Sequence, residues 1–251
     1  VAYAKGYNIV LYITNDSEER EKDILNELSL GNIDGLLASV CSRSGQNDHF
    51  QQVLTDGIPI VFFDRVASDI RASKILQDDY HGAYQAVEHL IGQGYTRIAH
   101  ITGPAGMLFT ETRMEGFIAA MKEHRLSVKD EWIIHSGFSM DFGKRDALQL
   151  LQCKTPPDAI FAVNDRKAIG AMLTLKEHHI EIGKQMGIIG FTNDPMCEII
   201  SPTLTTIEEP ALEVGRKSCE FLLNHINKKN FPPQELTLPT KLVVRESTTR
   251  K

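Results

Sequence analysis

Two hydrophobic periods alternate along this chain. Short, nearly continuous apolar runs are followed by longer segments whose apolar residues recur at helical spacing. Tyr7–Thr14 (YNIVLYIT), Ile33–Ser39 (IDGLLAS), Ile58–Asp64 (IPIVFFD) and Arg97–Gly103 (RIAHITG) are of the first kind and read as buried strands. Ser73–Asp79 (SKILQDD) reads as a short strand ending in two acids. Glu18–Asn32, Asp48–Gly57 and Gly82–Gly92 are of the second kind and read as helices. The first is capped near Asp16 or Ser17, and the second stops at Gly57.

The alternation continues to about residue 200. Helices are expected over Thr112–Leu126, Asp141–Cys153 and Asp165–Ile180, and strands at Trp132–Gly137, Pro156–Asn164 and Met186–Thr192. The segment PTLTTIEEP, bounded by Pro202 and Pro210, reads as a crossing segment, because proline cannot continue a helix. A long amphipathic helix over Ala211–Asn230 and a segment of strand character, LTLPTKLVVRES, close the chain. Apolar strands alternating with helices predict an α/β fold with parallel sheets covered by helices on both faces. Two such sheets joined by crossovers would form a cleft between lobes, and such sheets hold ligands at their strand ends.

Composition narrows the function. At 251 residues the chain is long enough for two lobes. Its formal net charge of -6 argues against nucleic-acid binding by these residues alone, since phosphate contacts need clustered cations. Cys41, Cys153, Cys197 and Cys219 lie far apart, with no CxxC and no histidine at ligand spacing. That pattern predicts a reduced, cytoplasmic protein with no metal site and no cofactor. No apolar run is long enough to span a bilayer, and no signal peptide is evident.

Several residues could carry chemistry at the strand ends. Asn164 offers a donor and an acceptor and Asp165 accepts only, although either also serves as a helix cap. The paired carboxylates Asp78–Asp79 could do acid–base work, bind a metal or cap the helix that follows, although no other acids recur at suitable spacing. Arg113, placed in the first turn of its helix, could fork onto a hydroxyl pair or a carboxylate. Phe138, after Gly137, could stack on a ring or the apolar face of a sugar. ITGPAG has the wrong spacing for a dinucleotide fingerprint, there is no GxSxG, and no nucleophile–base set emerges, so no enzyme is expected. His178–His179 read as solvated, and His89 as a plain helix residue.

Taken together, NIDGLL, IPIVFFDR, DDYHGAYQAVEHLIGQGYTRIAHITGP, TRMEGFIAAM, PPDAIFAVNDRKAIGAM, MGIIGF, SPTLTTIEEP and LPTKLVVRES resemble, in family order, the effector-binding core of a lactose/galactose-repressor (LacI/GalR) family transcription regulator. The resemblance implies a periplasmic-binding-protein-like fold, two lobes each with a parallel sheet flanked by helices, and three crossovers. The first lobe would comprise residues 1–103 and 208–232, the second residues 104–207 and 233–251. It further implies a homodimer, a small sugar-like effector in the interlobe cleft, no membrane contact, and operator DNA bound only through an N-terminal headpiece. No helix-turn-helix is present in these residues, and VAYAKGYNIV resembles the end of the family's first core helix, so that the headpiece and the first strand are expected to be missing. A secreted or periplasmic sugar-binding protein of the same fold is the alternative.

Carried over residue by residue, Arg113 matches the family's cleft arginine, Phe138 its stacking aromatic, and Asn164 and Asp165 its ND signature. His81 falls at the pocket edge beside Asp79. One departure stands out: where many sugar-responsive members carry GFDD, this chain has GFTND, placing Thr192 and Asn193 at the two acidic positions. Loss of a carboxylate there would leave the Arg113 charge less compensated and favour a phosphorylated or oxidised sugar, or an unusual glycoside.

Overall fold

The computed structural model describes residues 1–29, 33–41, 47–228 and 230–250. In chain order it contains α1 (Glu18–Ser29), β1 (Leu36–Ala38), α2 (Asp48–Thr55), β2 (Ile60–Phe63) and β3 (Ser73–Gln77). There follow α3 (Asp79–Gly92), β4 (Ile98–Thr102), α4 (Leu108–Glu123), β5 (Ile133–His135), α5 (Met140–Leu151) and β6 (Ala159–Ala162). Then come α6 (Asp165–Glu177), β7 (Gly187–Thr192), α7 (Met196–Ile199), β8 (Thr205–Glu208), α8 (Ala211–Asn227), β9 (Glu235–Leu238) and β10 (Lys241–Val243). The end of the first expected helix, residues 30–32, lies outside the described residues.

The chain divides into two units and passes between them three times. The first comprises Val1–Gln77 and Pro210–Leu238, the second Asp78–Glu209 and Pro239–Lys251. The boundary expected after residue 103 therefore falls earlier, at Gln77. The reason is sheet membership: β4 is bonded to β5 and β6, so it and α3 belong with the second unit. Likewise β9, expected in the second lobe, pairs with β3 in the first.

In the first unit four parallel strands run in the order β1-β2-β3-β9. Phe50, Val53, Ile60 and Phe62 centre one apolar cluster, and Val61, Ile75, Val214 and Leu222 a second. Tyr7–Thr14 is not a strand. It pairs with no strand among the described residues, and Ile9, Val10 and Leu11 are 70–80% exposed. Its apolar run satisfies the local pattern, but a strand also needs a neighbour to bond its backbone.

In the second unit six strands run in the order β10-β8-β7-β6-β4-β5, all parallel except β10. β4 and β6 are buried along their whole length because helices cover both faces, which explains the unbroken apolar sequence of β6 and the largely apolar one of β4. One face carries Phe117, Phe161, Phe191 and Tyr95, and the other Trp132, Ile160, Met172 and Ile188. The segment read as a crossing, PTLTTIEEP, holds a true strand, β8, and the chain leaves for the first unit only after Glu209.

Local chemistry starts the helices that point at the strand ends. Asp78 caps α3 by accepting from the His81 N–H at 3.1 Å, and Asn164 caps α6 through the Lys167 N–H at 2.8 Å. α5 and α6 approach so closely that a Cβ at Gly143 would overlap the Lys167 carbonyl, and one at Gly170 the Met140 carbonyl.

His100, in mid-β4, is fully buried between the rings of Phe117 and Phe161 and bonds the Phe161 carbonyl at 2.9 Å through Nδ1. Burial, with Lys167 and Arg113 nearby, pushes its pKa down to about 3. Unfolding frees it to take a proton below its ordinary value of about 6.5. Stability is therefore complete above that value and falls as pH drops toward 3, by up to roughly 1.4 kcal/mol per pH unit from this group. In urea unfolding followed across pH 3 to 7, His100→Gln is expected to have a shallower acid slope than the parent; an equal slope would mean that other groups carry the acid sensitivity.

Candidate functional site

Parallel strands present their C-terminal ends on one edge of the sheet. In the second unit that edge gathers the residues following β4, β5, β6, β7 and β8. Arg113 sits in its midst. It lies one turn further into α4 than expected, because the helix begins at Leu108, and only 2% of it is exposed. Its Nε donates to Asp79 at 2.8 Å, its Nη1 to the Val163 carbonyl at 2.6 Å and its Nη2 to Glu209 at 2.6 Å. The guanidinium carbon stands 3.5 Å from the centre of the Phe191 ring and 5.0 Å from that of Phe109. Burial alone would depress the pKa of Arg113, but Asp79 and Glu209 more than offset it and the shift is upward.

Two expectations change accordingly. Arg113 forks onto the protein's own carboxylates, so most of its donors are spent internally. Its charge is also compensated twice over, which removes the argument for an anionic effector.

Phe138 joins this cluster. Its ring stacks on Phe109 with centroids 5.6 Å apart, and it sits so close to Gly103 that any side chain there would collide with it. The Phe138 carbonyl accepts from Asn164 Nδ2 at 3.1 Å, so the Asn164 side chain is divided between capping α6 and holding Phe138. Asp165 has another role. It is 1% exposed, accepts from the Thr206 hydroxyl at 2.6 Å and the Asp194 N–H at 2.8 Å, and shapes the turn after β7. Burial raises its pKa, opposed by those hydrogen bonds.

That turn contains Thr192 and Asn193, both at positive φ, 124° and 64°. For a β-branched residue such as Thr192 this is a costly conformation, of the kind that persists where surroundings impose it. Thr192 is exposed, while Asn193 is held by Arg245 at 2.9 Å. His81 is also exposed, pairs with Asp78 at 2.8 Å, and takes no part in the Arg113 cluster, in contrast to its neighbour Asp79. Sequence reasoning missed Glu209, Phe109 and Phe191. A signal for Glu209 existed: the acids Glu208–Glu209 close TTIEE just as Asp78–Asp79 close SKILQDD. No group of three or more metal-ligating side chains occurs among the described residues.

Comparison with known proteins agrees with this architecture. A family model described as periplasmic binding protein-like domain matches residues 87–248. The HTH-type transcriptional repressor PurR of Vibrio vulnificus (strain CMCP6) is 31% identical over 98% of this chain and 73% of its own length. PurR of Actinobacillus pleuropneumoniae serotype 3 (strain JL03) is 32% identical with the same coverage. Among solved structures, a LacI family regulator of Enterococcus faecium with bound ribose superposes with a TM-score of 0.86 at 28% identity, covering 99% of this chain and 90% of that one. The complex of the regulator CelR with cellobiose gives 0.91 at 25% identity, covering 98% and 75%.

The fold and the strand-end site thus define a periplasmic-binding-protein-like domain. The chain belongs, within that class, to the LacI/GalR family of transcription regulators, as an effector-binding core.

Replacing Arg113 by methionine would remove the cation that Asp79 and Glu209 share. Arg113→Met is expected to lower stability by about 3 kcal/mol in urea unfolding. An unchanged midpoint would mean that the two carboxylates do not depend on the cation.

Proposed function

We propose that this chain is the sensing core of a cytoplasmic transcriptional regulator that binds a neutral, hydroxyl-rich small molecule, a sugar or close derivative, beside the Arg113 cluster. The observation that carries the reading is the double compensation of Arg113 by Asp79 and Glu209. Ionised carboxylates held in place by an arginine accept hydrogen bonds from sugar hydroxyls, while Phe109 and Phe138 supply apolar faces. The ribose and cellobiose bound by the two structural relatives support this class of ligand. The protein acts as a homodimer, and effector occupancy shifts the population between arrangements that differ in operator affinity. Operator DNA is contacted through a helix-turn-helix headpiece, a reading that the HTH-type name of the relatives supports.

Isothermal titration with ribose, cellobiose and ribose 5-phosphate tests the ligand class. A neutral sugar is expected to saturate the protein, with ribose 5-phosphate at least about ten-fold weaker, since one added dianion beside a net-acidic cluster costs more than about 1.4 kcal/mol. Tighter binding of the phosphate ester would refute the assignment.

A further inference from the structure

Beside the Arg113 cluster lies a second buried cation to which the family comparison assigns no role. Lys167, in the first turn of α6, is wholly buried, and its amine has three donors and uses them on three partners. These are the Thr102 carbonyl at the end of β4, Ser136 Oγ after β5 at 2.7 Å, and Asp146 Oδ2 on α5 at 2.8 Å. Ser136 in turn donates to Asp146 at 2.6 Å. Burial lowers the Lys167 pKa, and Asp146 opposes the shift.

A buried ion pair gives little net stability over an apolar pair of the same size, because both ions must be desolvated. This pair therefore calls for another reason, and its bonds indicate one. The Ser136–Phe138 segment is gripped at two points from the start of α6, Ser136 by the Lys167 amine in its first turn and the Phe138 carbonyl by its cap, Asn164. The Thr102 carbonyl, held by the same amine, precedes Gly103, on which the Phe138 ring rests. The backbone of Lys167 is itself immobilised, its N–H on Asn164 and its carbonyl against Gly143 of α5.

We propose that Lys167 is a positioning residue of the effector site: its buried ammonium ties the ends of β4 and β5 to α5 and so sets the place of Phe138 and of the Thr102–Gly103 turn. The inference rests on the effector-binding reading above for its consequence, but not for its geometry. Ligand contact is left to the residues already described, and Lys167 acts through them.

Three variants of the whole chain separate positioning from mere stability. Lys167→Met leaves Asp146 buried and unpaired and is expected to lower the melting temperature by roughly 10 °C. Lys167→Met combined with Asp146→Asn removes both charges and is expected to recover most of that loss. Ser136→Ala removes one tie without changing any charge. In the ligand-free double variant, amide hydrogen exchange is expected to rise about ten-fold or more in residues 103–107 and 136–139, while the cores of β6 and β7 stay protected. In Ser136→Ala only residues 136–139 should follow. Whichever of ribose and cellobiose the parent binds should be held about ten-fold more weakly by the double variant despite its recovered stability. Unchanged exchange in residues 136–139 of both the double variant and Ser136→Ala overturns the proposal. Parent-level sugar affinity in a double variant with raised exchange overturns its functional half. A parent that binds neither sugar counts against the effector reading instead, and the exchange data still decide the positioning claim.

Discussion

A guanidinium cannot be buried without anions, and much of the second unit's strand-end architecture follows from that constraint. Arg113 reaches Asp79 at the start of α3, the Val163 carbonyl after β6 and Glu209 after β8. It is thus the point at which three separate stretches of chain are brought to one charge. Phe191 and Phe109 close over it, which excludes water and strengthens each of these bonds. The cost of desolvating the cation is met by geometry: a planar fork with fixed donors loses little freedom when its partners are already fixed.

The polar residues around it divide the work. Asp165 builds the strained turn at Thr192–Asn193, Asn164 joins a helix cap to the Phe138 carbonyl, and the Lys167–Asp146 pair lies between α5 and α6. Glycines make this crowding feasible. Gly103 lets Phe138 lie against the end of β4, Gly190 gives room to Asp165, and Gly143 and Gly170 let α5 and α6 meet backbone to backbone. These are positions where a methyl group would displace a functional side chain or a whole helix.

Much of the fold was legible because strands buried on both faces are dominated by apolar residues, as β6 is throughout and β4 and β7 are over most of their length. Tyr7–Thr14 looked the same and failed, since apolar sequence is a local property and pairing is not. β8 was hidden by its flanking prolines and its Thr205–Thr206 pair, whose hydroxyls bond Arg245, Thr248 and Asp165 within the core. The unit boundary was misplaced because a helix and strand pattern does not say which sheet a strand joins. In the site, Arg113 and Phe138 were singled out by position and by resemblance, but that Arg113 is paired with Asp79 and Glu209 depends on residues 34 and 96 positions away. Lys167 was invisible for a similar reason: helical periodicity assigns a lysine to solvent, and only the approach of α5 makes it internal.

The order in which the chain visits the two units bears on its synthesis. β3 ends at Gln77, but its sheet neighbour β9 begins only at Glu235, after β4 to β8 of the second unit have been made. At ordinary elongation rates, roughly ten to thirty seconds separate the two on the ribosome. Throughout that interval the nascent first unit has an open flank beside β3, and until its last stretch it also lacks the cover of α8, by which time the second unit has five of its six strands. The later-translated unit is therefore nearer completion first, and the half-built one is where chaperones would find exposed surface.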